Sequence, residues 1–280
     1  MSTIVATGQA SGEFAKIAAF LRRDLMMALS YRAAFVADAV ALLGQAVVFS
    51  YVGRLVDPSA VPGFGGKQTS YLAFVSVGLA LTALLQVGLT RLTGVIGSER
   101  FMGTLESVLV SPTRLTTLQV GWVAYDLVYV PIRTFVFFAF MAGFFGVEFE
   151  LAGTGPTLAF IVAFLPFVWG VGVASAAATL IFRRGVLANG VLGFGLTFLS
   201  GAYFPLDFFP GWVRTIAGFN PVALAVEGTR QALLGGAGWA ELAPSIVGLS
   251  CLSLVALAIG SRVFAYAFRR ELRSGGVGLY

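Results

Sequence analysis

Gly97-Ser98-Glu99-Arg100-Phe101-Met102-Gly103-Thr104-Leu105-Glu106-Ser107-Val108-Leu109-Val110-Ser111-Pro112 is the most polar stretch between two long apolar runs. Phe101, Leu105, Val108 and Leu109 recur at helical spacing and share one face. Glu99, Arg100 and Glu106 fall on the other side of the same helix. Pro112 stops a regular helix, because it lacks a backbone N–H and its ring clashes with the preceding turn. A loop that only joined two membrane spans needs no amphipathic helix of its own. The stretch therefore reads as a short helix at a water boundary, over residues 98–112, with a span on either side.

The composition agrees. The chain has 280 residues, 58% of them hydrophobic and 11% charged. Soluble domains carry about 25% charged residues. A mean hydropathy of +0.90 makes this an integral membrane protein. The 26 Phe and 35 Gly suit closely packed membrane helices. One cysteine, Cys251, gives neither a disulfide framework nor a metal cluster. Histidine is absent, and no cluster of Cys or paired acids stands in for it within the spans, so a membrane enzyme is not expected. A basic pI near 9.7 could point to nucleic acid, but the basic residues border apolar runs, where a topology signal explains them first. No cleaved signal peptide is expected, since the first apolar run starts late and no small-residue cleavage site follows a short core.

Outward from the organising stretch, the pattern predicts an all-α polytopic protein with six spans: 33–52, 70–92, 120–145, 156–182, 186–203 and 242–266. The domain plan is a 1–32 N-terminus, a 33–266 membrane domain and a basic 267–280 tail. From Glu13 to Ser30, Phe14, Ile17, Leu21, Leu25 and Ala28 keep helical spacing while Lys16 and Arg23 lie opposite, which predicts an interfacial amphipathic helix. Residues 1–12 are small and polar and are expected to be disordered. The run Gly63-Phe64-Gly65-Gly66-Lys67 is not a P-loop: Gln68 stands where Ser or Thr is needed, and no strand precedes it. Residues 204–241 are apolar but broken by Pro205, Pro210 and Pro221, which predicts two short re-entrant or interfacial helices held against protein.

Lys and Arg set the orientation. With the N-terminus inside, the inner side holds Lys16, Arg22, Arg23, Arg32, Arg91, Arg100, Arg114, Arg183, Arg184, Arg262, Arg269, Arg270 and Arg273. The outer side holds only Arg54, Lys67, Arg214 and Arg230. Both termini are expected in the cytoplasm, in the inner or plasma membrane.

Two stretches resemble one known family. Glu99-Arg100-Phe101-Met102-Gly103-Thr104-Leu105-Glu106, followed by Leu109 and Ser111-Pro112, resembles the cytoplasmic loop of type 2 ABC exporter permeases. Leu199-Ser200-Gly201-Ala202-Tyr203-Phe204-Pro205-Leu206, then Pro210-Gly211-Trp212, Asn220-Pro221, Glu227 and Arg230, resembles that family's segment before the sixth span. The resemblance implies a permease that pairs with a second permease copy, most simply as a homodimer, and binds two copies of a cytoplasmic ABC ATPase. ATP and Mg would be bound by that ATPase, since no ATP-binding sequence stands in this chain. The 98–112 helix would then be the coupling helix, with Glu99, Arg100, Phe101, Gly103, Thr104, Leu105, Glu106, Leu109 and Pro112 as docking residues. Two acids on its polar face favour a protein partner over anionic lipid alone.

Polar residues within the spans are the next candidates. Asp38, Gln86, Asp126 and Arg133 are costly in hydrocarbon and should face protein or water. Asp126 and Arg133 share a helix face about 10 Å apart along the axis, too far to pair directly. Gln86 is a possible partner for Arg133. These groups suit either a polar gate or a network that only holds the bundle. In the fifth span, Gly190 and Gly193 allow close approach, and Phe194 and Phe198 suit an apolar path; the resemblance places this span on the translocation path and near the partner copy. Gly201, Tyr203, Phe204, Pro205, Pro221, Glu227 and Arg230 would form an extracellular lid, with Glu227 and Arg230 able to pair at i, i+3. The expected function is export of an amphipathic drug-like or lipid-like compound, without covalent chemistry in this chain. Export of a lipid-linked glycan is the alternative within the family. An ion-coupled secondary transporter is the alternative outside it, but no internal repeat supports that.

Overall fold

The computed structural model describes residues 2–30, 32–103, 114–182 and 185–274. Among the described residues the fold is all-helical: α1 Ser2–Ser30, α2 Arg32–Val52, α3 Tyr71–Phe101, α4 Leu115–Phe145, α5 Thr154–Phe182, α6 Gly185–Phe198, α7 Gly211–Ala217, α8 Pro221–Leu233 and α9 Trp239–Ser274. Single 3₁₀ turns stand at Pro58–Ala60, Leu151–Gly153 and Leu206–Phe208.

Four of these helices hold segments long and apolar enough to cross a membrane: Tyr71–Glu99, Thr116–Phe145, Leu151–Ile181 and Trp239–Arg270. Two shorter apolar helices, Ala39–Val52 and Asn189–Phe198, stand where the first and fifth spans are expected. α6 has 14 residues and at 1.5 Å per residue reaches about 21 Å, short of a hydrocarbon core of roughly 30 Å. The expected fifth span, 186–203, is thus a shorter helix that stops at Phe198.

Start and stop signals explain most boundaries. Ser70 Oγ accepts from the Ala73 N–H at 3.2 Å and caps α3. α4 ends at Gly146, whose φ of 66° is the left-handed conformation that glycine takes without a Cβ clash. Asn220 caps α8 by accepting from Val222 N at 3.0 Å, with Pro221 at the first helical position. α1 starts at Ser2, well before Glu13. Residues 63–67 close a turn, with Phe64 and Lys67 bonded both ways at 3.1 and 3.0 Å around Gly65 and Gly66, both at positive φ. This is not a phosphate cradle.

α3 is the centre of the bundle. Its apolar segment is 78% buried, against 17% for that of α9. α5 lies between α3 and α9 and gives one glycine to each. A Cβ on Gly172 would strike the Gly88 carbonyl of α3, and one on Gly260 of α9 would strike the Gly170 carbonyl. With no side chain between them the backbones approach closely, and dispersion replaces the hydrophobic drive that lipid does not supply. Leu84, Leu85, Leu89, Phe160, Phe164 and Val168 fill the space around these crossings.

α1 packs along α4, with Phe20 against Gly121. It turns Glu13, Lys16, Arg23 and Asp24 toward the bundle and leaves Phe14, Leu25, Met26 and Leu29 exposed. The 204–241 region holds two short helices, α7, mostly exposed, and α8. α8 is packed against α3, α5 and α9.

Candidate translocation cavity and coupling end

α3 is buried on most sides, yet Gln86 and Thr90 are exposed. They open onto a cavity of about 530 Å³ lined by Ala41, Leu42 and Gln45 of α2, Thr82, Ala83, Gln86, Val87 and Thr90 of α3, Arg133 of α4, and Gly190, Gly193, Phe194 and Thr197 of α6, with Tyr203 at one end. The structure therefore brings Gln86, Arg133, Gly190, Gly193 and Phe194 to one place. Phe198 stacks on Phe194 at 5.7 Å but does not line the cavity.

α6 is held by two asparagines, Asn189, which sequence reasoning did not single out, and Asn220 of the Asn220-Pro221 pair. Asn189 Nδ2 donates to the Leu89 carbonyl at 3.2 Å and to Thr93 Oγ1 at 3.1 Å. Asn220 Nδ2 donates to the Leu196 carbonyl at 2.8 Å, the kind of orphan group a helix end leaves.

At the α8 end of the bundle, Arg230 is 2% exposed. Its Nε donates to the Phe74 carbonyl at 3.1 Å, and its Nη2 to the Gly201 and Ala202 carbonyls, both at 3.0 Å. A buried charge is tolerated only when its donors are satisfied. Here three carbonyls and an aromatic ring surround it. The sequence-based expectation of a Glu227–Arg230 surface pair is corrected: Arg230 lies on the inward face with Val222 and Val226, whereas exposed Glu227 accepts from Gln231 at 3.2 Å. Tyr71 adds a bond from its hydroxyl to the Tyr203 carbonyl at 3.1 Å. The 201–203 turn is thus fixed at three successive carbonyls, with Gly201 at φ 68°, while Phe204 is exposed and Pro205 buried behind it. This turn stops α6 short of Tyr203.

At the α1 end, a second cavity of about 550 Å³ is lined by Arg23, Asp24, Met27, Val87, Thr90, Arg91, Gly94, Val95, Ser98, Glu99 and Met102. Val87 and Thr90 line both cavities, so one face of α3 serves both in series. Asp126 is not with Arg133: its Oδ2 lies 2.8 Å from Arg91 Nε. Arg91 also pairs with Asp24, and Asp24 pairs with Arg23 at 2.9 Å. Neither Asp24 nor Arg91 stood out in the sequence. An acid on an amphipathic helix reads as solvated, and an arginine at a span end reads as a topology signal. The available cue was Asp24 one turn from Phe20, the aromatic that α1 packs against Gly121.

The organising stretch is described only at its start. α3 runs on through Ser98, Glu99 and Arg100 to Phe101, so the expected separate helix is continuous with the span there. Phe101 is 94% exposed, and Gly103 turns the chain at φ 69°. Thr104, Leu105, Glu106, Leu109 and Pro112 lie outside the described residues, as do the side chains of Asp38 and Arg100.

A family model described as ABC-2 type transporter matches residues 15–234. The chain belongs to the ABC-2 type transporter family. No curated protein matches it. Members of this family are the membrane component of an ABC transporter, are not themselves catalytic, and generally work with an ABC ATPase subunit. The match takes in both cavities, the Arg91 cluster and the Arg230 clasp of this permease, and ends just before the long helix α9.

Proposed function

We propose that the chain is the permease of an ATP-driven exporter that moves an amphipathic drug-like or lipid-like compound out of the cytoplasm or inner leaflet. The carrying observation is the pair of cavities along α3. A polar stripe of Thr82, Gln86 and Thr90 on α3 lines the first cavity together with Gly190, Gly193 and Phe194 of α6. A polar wall opposite an apolar one suits a compound with a polar head and an apolar body.

In this reading the permease crosses an inner or plasma membrane six times, α2 and α6 serving as the first and fifth passes, with both termini in the cytoplasm. α1 lies in the interface with Phe14, Leu25, Met26 and Leu29 toward lipid. Two copies of the permease pair and hold two copies of an ABC ATPase, which bind ATP and Mg. Residues 98–112 dock in a groove of that ATPase, and the exposed Phe101 is the first apolar anchor. The 204–241 region forms the outer lid.

The test is co-purification of the tagged permease with the ATPases encoded near it, followed by ATP hydrolysis and dye-efflux assays on wild type and Glu106→Arg. A stable ATPase complex whose efflux is lost in the variant supports the reading. Absence of any ATPase partner, with the variant fully functional, overturns it.

A further inference from the structure

Arg91 touches three elements at once. It stands on α3, pairs with Asp24 of α1 through Nη2, and has Nε 2.8 Å from Asp126 Oδ2 on α4. The two carboxylates are not served equally. Asp24 is 6% exposed, and its oxygens are shared between Arg91 and Arg23. Asp126 Oδ2 is buried and receives no aligned hydrogen bond. The Nε–H beside it points instead to the Trp122 carbonyl at 3.4 Å, a long and weak bond. So Asp24 is bonded at both oxygens, while Asp126 meets Arg91 at Oδ2 in a close ion contact without an aligned hydrogen bond. In a low-dielectric site a half-satisfied network gains when a small displacement completes it.

The position matters as much as the chemistry. Thr90, the residue before Arg91, lines both cavities. Ser98 and Glu99 lie two turns further on, about 10 Å along the same helix, and α3 is unbroken between them. Movement at the Ser98–Phe101 end therefore reaches Arg91 as movement of a rigid rod. A slide of α3 past α4 changes which carboxylate the guanidinium serves.

Resting on the permease reading above, we propose that Arg91 is a positioning residue for transport. It is the joint through which motion at the coupling end of α3 is passed to α1 and α4, and it shifts from Asp24 toward Asp126 as access changes to the upper cavity, the one lined by Gln86 and Tyr203. A guanidinium suits this part because its fixed fork can serve two carboxylates, whereas an ammonium is a single point charge.

The test uses the whole permease–ATPase complex in lipid nanodiscs. Cys251→Ser removes the native thiol, and Gln45→Cys places a reporter in the upper cavity. Labelling by a membrane-impermeant maleimide is compared without nucleotide and with ATP, Mg and vanadate trapped. In the parent, trapping changes the labelling rate. In Arg91→Gln and in Asp24→Asn the complex assembles and hydrolyses ATP, but the nucleotide-dependent change is lost. Arg91→Lys loses it too. The proposal is overturned if the variants respond to nucleotide as the parent does. It is equally overturned if neither Arg91→Gln nor Asp24→Asn assembles, because the network then only holds the bundle together. A parent that binds no ATPase sinks the permease reading itself, and this inference with it.

Discussion

Arg230 lies over Phe74, its guanidinium carbon 3.4 Å from the ring centroid. The contact joins α8 to the first turn of α3 while the same guanidinium ties down the Gly201 and Ala202 carbonyls. One side chain thus closes the end of the bundle where Tyr203 meets the upper cavity. The ring takes the flat face of the cation, and the carbonyls take its edge.

Replacing Arg230 should loosen this closure. Arg230→Met keeps much of the apolar stem but strands the Gly201 and Ala202 carbonyls, each costing about 1–3 kcal/mol if it stays buried. Arg230→Lys restores charge without the fork and should recover only part of the loss. The expected outcome is a lower thermal midpoint in detergent, with methionine worst, and faster proteolysis between Leu199 and Leu206. Wild-type resistance in Arg230→Met would mean the clasp contributes nothing to closure.

The glycine crossings make a second, sharper prediction. Gly260→Leu forces α9 away from the Gly170 carbonyl, and overpacking of this kind costs about 1–3 kcal/mol or more. Gly248→Leu, on the same helix with open space around it, should be tolerated. Detergent-solubilised protein should run as a single peak on size exclusion for Gly248→Leu and as aggregate or fragment for Gly260→Leu.

How much of this was legible in the sequence differs by element. Hydropathy found the apolar runs, because lipid selects composition residue by residue. It ended the second run at Leu92, yet the helix continues to Phe101, because backbone hydrogen bonding does not stop at the lipid boundary. It also carried the fifth run to Tyr203, whereas the helix stops at Phe198 because Arg230, nearly thirty residues on, takes the carbonyls of the next turn. No local pattern encodes that. Gln86 was offered as a partner for Arg133, and Gly190 and Gly193 were placed together on the fifth span, but the meeting of all four in one cavity needed the fold. Asp24 was missed because its partner Arg91 is 67 residues away.

Glu13 links α1 to acid pH. The Thr117 hydroxyl first, then the Lys16 ammonium, hold its carboxyl below the usual carboxylate range. A carboxylate whose folded value is depressed stabilises the folded state above its unfolded value, and that contribution is lost as pH falls through the folded one. α1 should therefore loosen from α4 on acidification below the usual carboxylate range. Hydrogen exchange in α1, corrected for the intrinsic effect of pH, should rise there in wild type. Glu13→Gln should show the looser state at neutral pH and a flatter response to acid.

Two glycines of α6 separate obstruction of the cavity from damage to its wall. Gly190 faces open space, and a Cβ there meets nothing within 4 Å. Gly193 faces α3, and a Cβ there lies 2.9 Å from Leu89 Cδ1 and 3.1 Å from Gln86 Oε1. Gly190→Leu should fill the cavity without strain, so efflux of a fluorescent amphipathic dye falls while the thermal midpoint stays put. Gly193→Leu should push α6 off α3, break the Asn189 bonds to Leu89 and Thr93, and lower both. Gln86→Ala removes a polar wall group without filling space, so its effect should fall on the concentration of dye needed for half-maximal efflux rather than on stability. If Gly190→Leu leaves efflux untouched across a range of dyes, the space between α2, α3 and α6 is not the path, and the polar stripe on α3 serves packing against a second copy instead.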